Sequence, residues 1–422
     1  MIFRSAGTEQ VDDFRVSLTG SGDAVSVEAG ETTEGFTIPF TREQVEHALD
    51  DSSPNRISTD PLTSFGSTLF SSLFSGKVGR LLWERFADAE AGNRGLRLRI
   101  VSSMERLQHL PWELLFDPSR GDFISLSGRV ALVRTRMEGF SDSPLPPVSR
   151  LRILAVEADV TGDMRTREDI DILAGFASAH PDTIELEVLK RATPQALRER
   201  LKVGSYDVFH FAGTGEVLPA QSKRGGIRQV LRLWGSAYLD PLFDRNELGE
   251  LLQRANVRLA VLNACHSDWI ARSLAKYIPS AIGYRESVSA EACITLCQSL
   301  YPSLLSAAPL DLAVTAVRQA VDHRLPGTGQ WCKLILYLQR PNGLFLLDPE
   351  RADLRFADAG VYQNKTSAKI SKLLNVYQLN LNALEKPGGV TATQPNFEAA
   401  DNLRRKIDDL KRQLKDLGEG VS

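Results

Sequence analysis

Two apolar stretches decide the fold of this chain: Tyr206-Asp-Val-Phe-His-Phe-Ala-Gly-Thr-Gly215 and Val257-Arg-Leu-Ala-Val-Leu-Asn-Ala-Cys-His266. Each is rich in β-branched and bulky residues and is long enough for a strand buried on both faces, as in a parallel sheet. Each ends in small residues, which leave room for a crevice at the carboxyl end of the strand, where open α/β sheets place their sites. The Cys265 thiol at one strand end and a glycine-flanked residue at the other indicate a two-residue catalytic arrangement.

Strand and helix patterns alternate on both sides of these two stretches. Residues 151–156 and 184–189 have strand patterns, and the sequence Thr193-Pro predicts a capped helix with proline in its first position. This alternation predicts an α/β domain with a mainly parallel sheet flanked by helices. Further helices are expected over 166–179, 244–254, 289–305 and 310–321, and a closing strand over 333–338.

The first part of the chain has a different pattern. Residues 12–40 look β-rich, a helix is expected from Thr41 to Leu49, and a helical stretch over 64–91 is interrupted near Gly76. Residues 95–101 alternate and predict a strand with a charged outer face. We therefore divide the chain into an N-terminal scaffold over 1–95, an α/β domain over 96–348 and a C-terminal module over 360–422.

The two strand ends together resemble those of the CHAT family of caspase-like cysteine proteases, which is related to separases and caspases. In that family one strand ends in Gly-His-Gly and supplies the general base, and another ends in Asn-Ala-Cys and supplies the nucleophile. The resemblance extends over roughly residues 97 to 347 and implies a caspase-like sheet. It also implies that Cys265 is at the nucleophile position. Three further stretches agree in order: Leu110-Pro-Trp-Glu-Leu-Leu-Phe-Asp-Pro118, Leu132-Val-Arg134 and Leu334-Ile-Leu-Tyr-Leu338. The pocket positions that the resemblance implies are Gly213, Gly215 and Asn263.

The chain departs from the family at the base. Thr214 stands where the resemblance places the dyad histidine, and a hydroxyl does not act as a base near neutral pH. His210 lies four residues upstream on the same strand, about 13 Å away at ~3.3 Å per residue, which is too far. His266 adjoins Cys265, but neighbouring side chains on an extended chain point to opposite faces. His266 is therefore a substitute base only if the chain turns sharply there.

The Pro-Trp-Glu motif contains a carboxylate among apolar neighbours. Glu113 is either buried and paired or exposed on a short helix, and we favour an ion pair with an arginine such as Arg134.

Composition narrows the function classes. An apolar fraction of 42%, a charged fraction of 24% and a net charge of −3 are ordinary for a globular protein and give no drive toward nucleic acid or anionic membrane. The longest apolar runs are strand-sized, and the first residues lack the apolar core of a secretory signal, so a cytoplasmic protein is expected. Cys293 and Cys297 could form half of a metal site. No other Cys/His pair shows matching spacing, so buried thiols without a metal or other cofactor are preferred.

The last part of the chain carries two heptad patterns. The loop 386–395 contains two prolines and two glycines and separates the patterns, which predicts an αα-hairpin. A hairpin of this size does not form a stable core alone, so we expect it to bind a protein partner or a second copy. The apolar residues predicted to form this interaction surface are Ile370, Leu374, Tyr377, Leu381, Leu403, Ile407, Leu410 and Leu414.

Three functions fit these observations. The first is a catalytically impaired caspase-like protein that acts as a binding, adaptor or regulatory component of a prokaryotic conflict system. The second is an active cysteine endopeptidase that cleaves a peptide or protein with Cys265 and a non-standard base. The third is an assembly protein that oligomerises through the C-terminal hairpin. Thr214 favours the first and the third over the second, and the first is preferred.

Overall fold

A computed structural model describes most of the chain up to residue 341. The described residues are 11–21, 24–49, 60–74, 76–92, 94–102, 104–141, 143, 145–146, 148–158, 166–219, 227–234, 238–239, 247–306 and 308–341, with 404, 407, 408, 411 and 412. The chain forms two compact units: Glu9–Leu354 is one, and Met1–Thr8 with Arg355–Ser422 is the other.

The larger unit contains helices and strands in alternation through most of its length. The strands are β1 Val11–Ser21, β2 Ala24–Ala29, β3 Thr32–Phe36, β4 Gly95–Ser102, β5 Phe116–Asp117, β6 Asp122–Phe123, β7 Val130–Thr135, β8 Leu151–Ala158, β9 Ile184–Lys190, β10 Val208–Gly213, β11 Gly215–Pro219, β12 Ile227–Arg232, β13 Tyr238–Leu239, β14 Leu259–Asn263, β15 Ser280–Tyr284 and β16 Leu334–Leu338. The α-helices are α1 Arg42–Leu49, α2 Asp60–Phe74, α3 Lys77–Ala91, α4 Glu105–Gln108, α5 Thr166–Ala179, α6 Pro194–Val203, α7 Glu247–Arg254, α8 Asp268–Leu274, α9 Ala290–Leu305 and α10 Leu310–Arg324. Short 3₁₀ helices cover Trp112–Leu114, Ile124–Leu126 and Gln330–Lys333.

Eleven of the described strands form one central sheet. Their order is β3-β2-β1-β4-β7-β16-β15-β14-β10-β8-β9. Only the β1–β2, β2–β3 and β15–β16 pairs are antiparallel, and the other neighbouring pairs are parallel. The predicted α/β fold with a mainly parallel sheet flanked by helices is confirmed. The strands β10 and β14, which the opening stretches predict, are neighbours inside this sheet.

The N-terminal strands extend the same sheet. Strand β1 pairs with β4 in parallel, and β2 and β3 follow outward from it. The predicted charged outer face of β4 is wrong, because Arg97 and Arg99 are 3% and 1% exposed. Asp13 on β1 binds both guanidinium groups, and Asp311 on α10 binds Arg97 at 2.8 Å. Charged side chains can occupy this buried face because carboxylates from two neighbouring elements compensate them.

The helical lead-in is interrupted where the sequence predicts. Helix α2 ends at Phe74 and α3 begins at Lys77. A carboxylate from another segment caps α3, since Glu34 accepts the backbone N–H groups of Lys77 at 2.6 Å and Val78 at 3.1 Å. These bonds hold the pKa of the Glu34 carboxyl below its usual value. A β-carbon at Gly76 would stand 2.2 Å from that carboxylate, so glycine leaves room for the cap.

Apolar side chains cover the two faces of the sheet separately. On β10, Val208 and Ala212 belong to one core cluster, while Phe209 and Phe211 belong to the other. On β14, the same alternation places Leu259 in the first cluster with the even-numbered β10 positions. Alternate residues of a strand share a face, so Asn263 and Cys265 lie on the same side as Leu259. This is the side of the sheet that α5 and α9 cover. None of the described helices combines the length and apolar character that a membrane-spanning helix needs.

The smaller unit contains the segment predicted to be a helical hairpin. Of the apolar residues proposed for interaction there, only Ile407 is described: it is helical and 4% exposed. The other proposed interaction residues, namely Ile370, Leu374, Tyr377, Leu381, Leu403, Leu410 and Leu414, lie outside the described residues.

Candidate functional site

The carboxyl ends of β10 and β14 lie side by side. The two strands are parallel, and their last paired residues are Ala212 and Asn263. Gly215 packs directly on the backbone of Cys265, since a β-carbon at Gly215 would stand 1.7 Å from the Cys265 carbonyl oxygen. Thr214 is half-buried, and its carbonyl accepts the N–H of Arg232 at 2.9 Å. Thr214 and Cys265 therefore lie at adjacent strand ends, as the sequence predicts.

The Cys265 thiol contacts the loop that follows β15. The N–H of Val288 donates to Cys265 Sγ at 3.3 Å, and Sγ lies 3.7 Å from the Val288 carbonyl oxygen. This loop is itself fixed: Lys333 Nζ donates to the Ser287 carbonyl at 2.7 Å, and the Ser289 N–H donates to Gln330 Oε1 at 3.0 Å. The thiol is half-buried, and the backbone of Val288 beside it is held in place by the hydrogen bonds of its loop.

The chain turns sharply at His266. Its φ of 49° is in the left-handed region, and its N–H donates to the Glu286 carbonyl. The ring lies against the same loop, with Nε2 3.3 Å from Ser287 Oγ and Nδ1 3.7 Å from Glu286 Oε2. Burial lowers the pKa of His266 and nearby Lys333 adds to this, so the ring favours the neutral form. Among the described residues, no hydrogen bond joins the His266 ring to Cys265 Sγ.

The predicted ion pair between Glu113 and Arg134 is present. Both side chains are buried, and Arg134 Nε donates to Glu113 Oε1 at 2.9 Å. Burial alone would raise the pKa of Glu113, but Arg134 and the nearby Arg318 and Arg285 hold it below its usual value. Arg285 donates to the carbonyls of Gln108 and Leu110, so the Pro-Trp-Glu segment anchors the start of the loop that meets Cys265.

A buried polar cluster beneath the site was not predicted from the sequence. Asp169 on α5, His210 on β10 and Cys297 on α9 each offer one ligand atom, and these atoms lie within 4.8 Å of one another. Asn263 joins them, since its Nδ2 donates to Asp169 Oδ2 at 2.6 Å. Tyr301 completes the set, with its hydroxyl 2.8 Å from His210 Nδ1. The alternation of side chains along β10 and β14 could have placed His210 and Asn263 on one face of the sheet. No sequence spacing indicates that Asp169 of α5 and Cys297 of α9 would join them there.

Burial controls the protonation of this cluster. It raises the pKa of Asp169 to about 7 and lowers the pKa of His210 to about 3. It also raises the pKa values of the Cys293 and Cys297 thiols, which are both buried as expected. His210 and the two thiols therefore favour their neutral forms, while the Asp169 carboxyl titrates near neutral pH.

Comparison with known proteins identifies the family. The CHAT domain profile matches residues 65–328, well over half of the chain. The chain belongs to the CHAT-domain family. Its fold is accordingly that of a caspase-like cysteine peptidase, with the Cys265 thiol at a strand end. A search of curated proteins found no match.

Solved structures with similarity include two crystal structures of the Saccharomyces cerevisiae separase–securin complex. Both share 12% identity over 73% of this chain, with TM-scores of 0.37 and 0.35. The match covers only 20% of the length of each of those chains.

Proposed function

We propose that this chain is a catalytically impaired CHAT protein that binds a peptide or protein segment at the Cys265 strand end. The observation that carries the proposal is the environment of the thiol. Its described hydrogen-bond partners are the backbone groups of Val288, while the neighbouring imidazole of His266 contacts Ser287 and Glu286 instead. The adjacent strand end presents Thr214 at the position that we assign to the dyad histidine.

Peptide cleavage by a thiol needs a proton acceptor and then a proton donor for the leaving amine. A threonine hydroxyl supplies neither near neutral pH. Loss of general acid–base catalysis typically costs about 10²–10⁴ in rate. The Cys265 strand end and the 286–289 loop remain, and their backbone groups are the ones we propose to bind an extended segment. We therefore expect the protein to bind a peptide segment at this strand end and to cleave it little or not at all.

The test is the labelling of Cys265 in the full-length protein. Peptide acyloxymethyl ketones and iodoacetamide are compared by mass spectrometry of the Cys265 peptide, with Cys265→Ala as the blank. We expect alkylation by iodoacetamide and no peptide-dependent acceleration. Thr214→His should accelerate labelling by the peptide electrophile, whereas the matched variant Thr214→Val should not. Rapid peptide labelling and substrate cleavage by the wild type, both lost in Cys265→Ala, would overturn the proposal.

A second candidate is an active endopeptidase in which His266 is the base. The left-handed turn at His266 favours it, because this turn satisfies the condition under which the ring can approach the Cys265 side of the chain. Glu286 lies where it can orient the ring, 3.7 Å from Nδ1. Under this alternative, His266→Gln abolishes cleavage and Thr214→Val does not. Under the preferred function, neither variant changes the already negligible cleavage.

We also propose that the C-terminal module, residues 360–422, supplies the association with a protein partner or a second copy. Its two heptad patterns support this role, because such stripes pack against other helices. The role of an adaptor or regulator in a prokaryotic conflict system fits an impaired peptidase joined to an interaction module. If the module only joins copies of the chain, the protein is an assembly factor, and the oligomeric state in solution distinguishes the two.

A further inference from the structure

The buried cluster of Asp169, His210 and Cys297 has the composition of a metal site. The three residues are 2%, 0% and 0% exposed. Cys297 Sγ lies 3.9 Å from His210 Nε2. Ligands of a tetrahedral Zn²⁺, at about 2.3 Å for sulfur and 2.0 Å for nitrogen, stand about 3.5 Å apart, so this pair needs to close by only a few tenths of an ångström. The Asp169 oxygen lies within 4.8 Å of both atoms and must move closer to complete the set.

The surrounding hydrogen bonds orient these atoms as metal ligands are oriented. The Tyr301 hydroxyl lies 2.8 Å from His210 Nδ1, and when it accepts the Nδ1 proton it leaves Nε2 as the free acceptor toward Cys297. Asn263 Nδ2 holds Asp169 Oδ2 and lies 3.7 Å from Cys297 Sγ. Metal-bound histidines and carboxylates are held by such outer partners.

Two buried oxygens in this cluster have no hydrogen-bond partner in the described part of the chain. They are Asp169 Oδ1 and Asn263 Oδ1. A buried acceptor without a partner is destabilising, because it has lost its hydrogen bonds to water without replacing them. A cation that binds one or both oxygens would remove this cost.

Charge balance also favours a divalent ion. Asp169, His210 and Cys297 form hydrogen bonds with Asn263, Tyr301 and one another, and no arginine or lysine of the described residues pairs with them. An ionised carboxylate and thiolate with neutral imidazole and a divalent cation form a neutral unit, which a buried position tolerates far better than isolated charges.

We infer that Asp169, His210 and Cys297 form a Zn²⁺ site with three protein ligands, which ties α5 and α9 to the sheet beneath Cys265. Nitrogen, sulfur and carboxylate ligands together are typical of zinc and are unsuited to Mg²⁺ or Ca²⁺. The ion would hold β10 directly through His210. It would hold the end of β14 through Asn263, two residues before Cys265. This inference is independent of whether Cys265 cleaves peptides.

The test uses the full-length protein expressed in zinc-supplemented medium, because the buried site must fill as the chain folds. Elemental analysis after gel filtration should give one zinc per chain. X-ray absorption at the zinc edge should show one sulfur ligand, with nitrogen and oxygen as the others. Protein grown with cobalt should show a thiolate-to-cobalt charge-transfer band. The zinc-loaded protein should melt at a higher temperature than protein grown without added metal.

Variants assign the ligands. Cys297→Ala and Asp169→Asn should lose the metal, and Cys297→Ala should also lose the cobalt band. The matched control is Cys293→Ala, which removes a buried thiol from the same helix but should keep the metal. Substoichiometric zinc in the wild type, an absorption spectrum without sulfur, or full metal retention by Cys297→Ala would overturn the inference. If Cys297→Ala does not fold, the wild-type spectrum together with Cys293→Ala still decides it.

Discussion

Gly215 rests on the carbonyl oxygen of Cys265, so close that a β-carbon would stand 1.7 Å from that oxygen. The contact joins the residue after Thr214 on one strand end to Cys265 on the next. No side chain fits in that space. The backbone at Gly215 therefore determines how near the two strand ends can approach.

Gly215→Ala should destabilise the protein and displace Cys265. The added methyl group meets backbone rather than a flexible side chain, and overpacking of this kind typically costs about 1–3 kcal/mol. Urea unfolding and the iodoacetamide alkylation rate of Cys265 measure the two effects. The control is Gly175→Ala on α5, where a β-carbon meets nothing within 4 Å and alanine should stabilise by roughly 0.5–1 kcal/mol. Equal stability of the two variants would contradict the expected crowding.

Glu113→Gln should be strongly destabilising. It leaves Arg134 buried without its carboxylate, and breaking a buried pair in this way costs about 3–5 kcal/mol. Glu185→Gln is the control, because it breaks the exposed pair with Arg150 and should cost at most about 1 kcal/mol. The pH dependence of this stabilisation follows from the lowered pKa of Glu113. The stabilisation is present above the usual glutamate value of 4.5 and is lost as the pH falls through the lower folded value.

In chemical denaturation at several pH values, the gap between wild type and Glu113→Gln should therefore be constant near neutrality and shrink in acid. A gap that grew on acidification would show that the carboxylate is not held ionised by its arginines.

Asp268 should give the opposite pH dependence. Burial raises its pKa to about 6, although Arg285 opposes the shift. The folded state therefore holds this proton more tightly than the unfolded state, whose pKa is near the usual 3.8. As the pH rises from about 4 to 6, the wild type should lose on the order of 3 kcal/mol relative to Asp268→Asn, which does not titrate. Asp171→Asn, at an exposed position of α5, controls for the removal of a carboxylate. A difference between wild type and Asp268→Asn that stays constant over this pH range would refute the assignment.

The sequence alone predicted those elements whose pattern lies within a few consecutive residues. The apolar runs before Gly213 and Asn263 predict two buried strands, and both are present as neighbours. The sequence Thr193-Pro predicts a helix start, and Thr193 Oγ1 accepts the N–H of Ala196 at 3.2 Å. Each of these depends on a few consecutive residues.

The sequence was insufficient where partners come from distant segments. Alternation alone assigned Arg97 and Arg99 to an outer face, because nothing near them shows that Asp13 and Asp311 would compensate them inside. The buried cluster at His210 was not predicted for the same reason. Helix α5 precedes β10 in the sequence and α9 follows it, so the side chains that meet there are not related by any regular spacing.

The role of the C-terminal module can be tested without knowing its partner. Residues Arg355–Ser422 fall outside the compact unit Glu9–Leu354, which contains the whole sheet. We therefore expect deletion of 360–422 to leave a protein that unfolds cooperatively, with a melting temperature within a few degrees of the full chain. We also expect it to lose any self-association that the full chain shows in sedimentation velocity.

Single substitutions refine this test. Ile407 is helical and 4% exposed within the single chain, so Ile407→Glu puts a charge at a buried apolar position, should disrupt the packing of the module and should thereby weaken association by on the order of tenfold. Asp408→Ala alters the neighbouring exposed residue and should have little effect. If the truncated protein keeps the oligomeric state of the full chain and Ile407→Glu associates normally, the interaction surface is not in this module. The edge strands β3 and β9 would then be the next surfaces to test, because each has one side unpaired among the described strands and can accept an added strand.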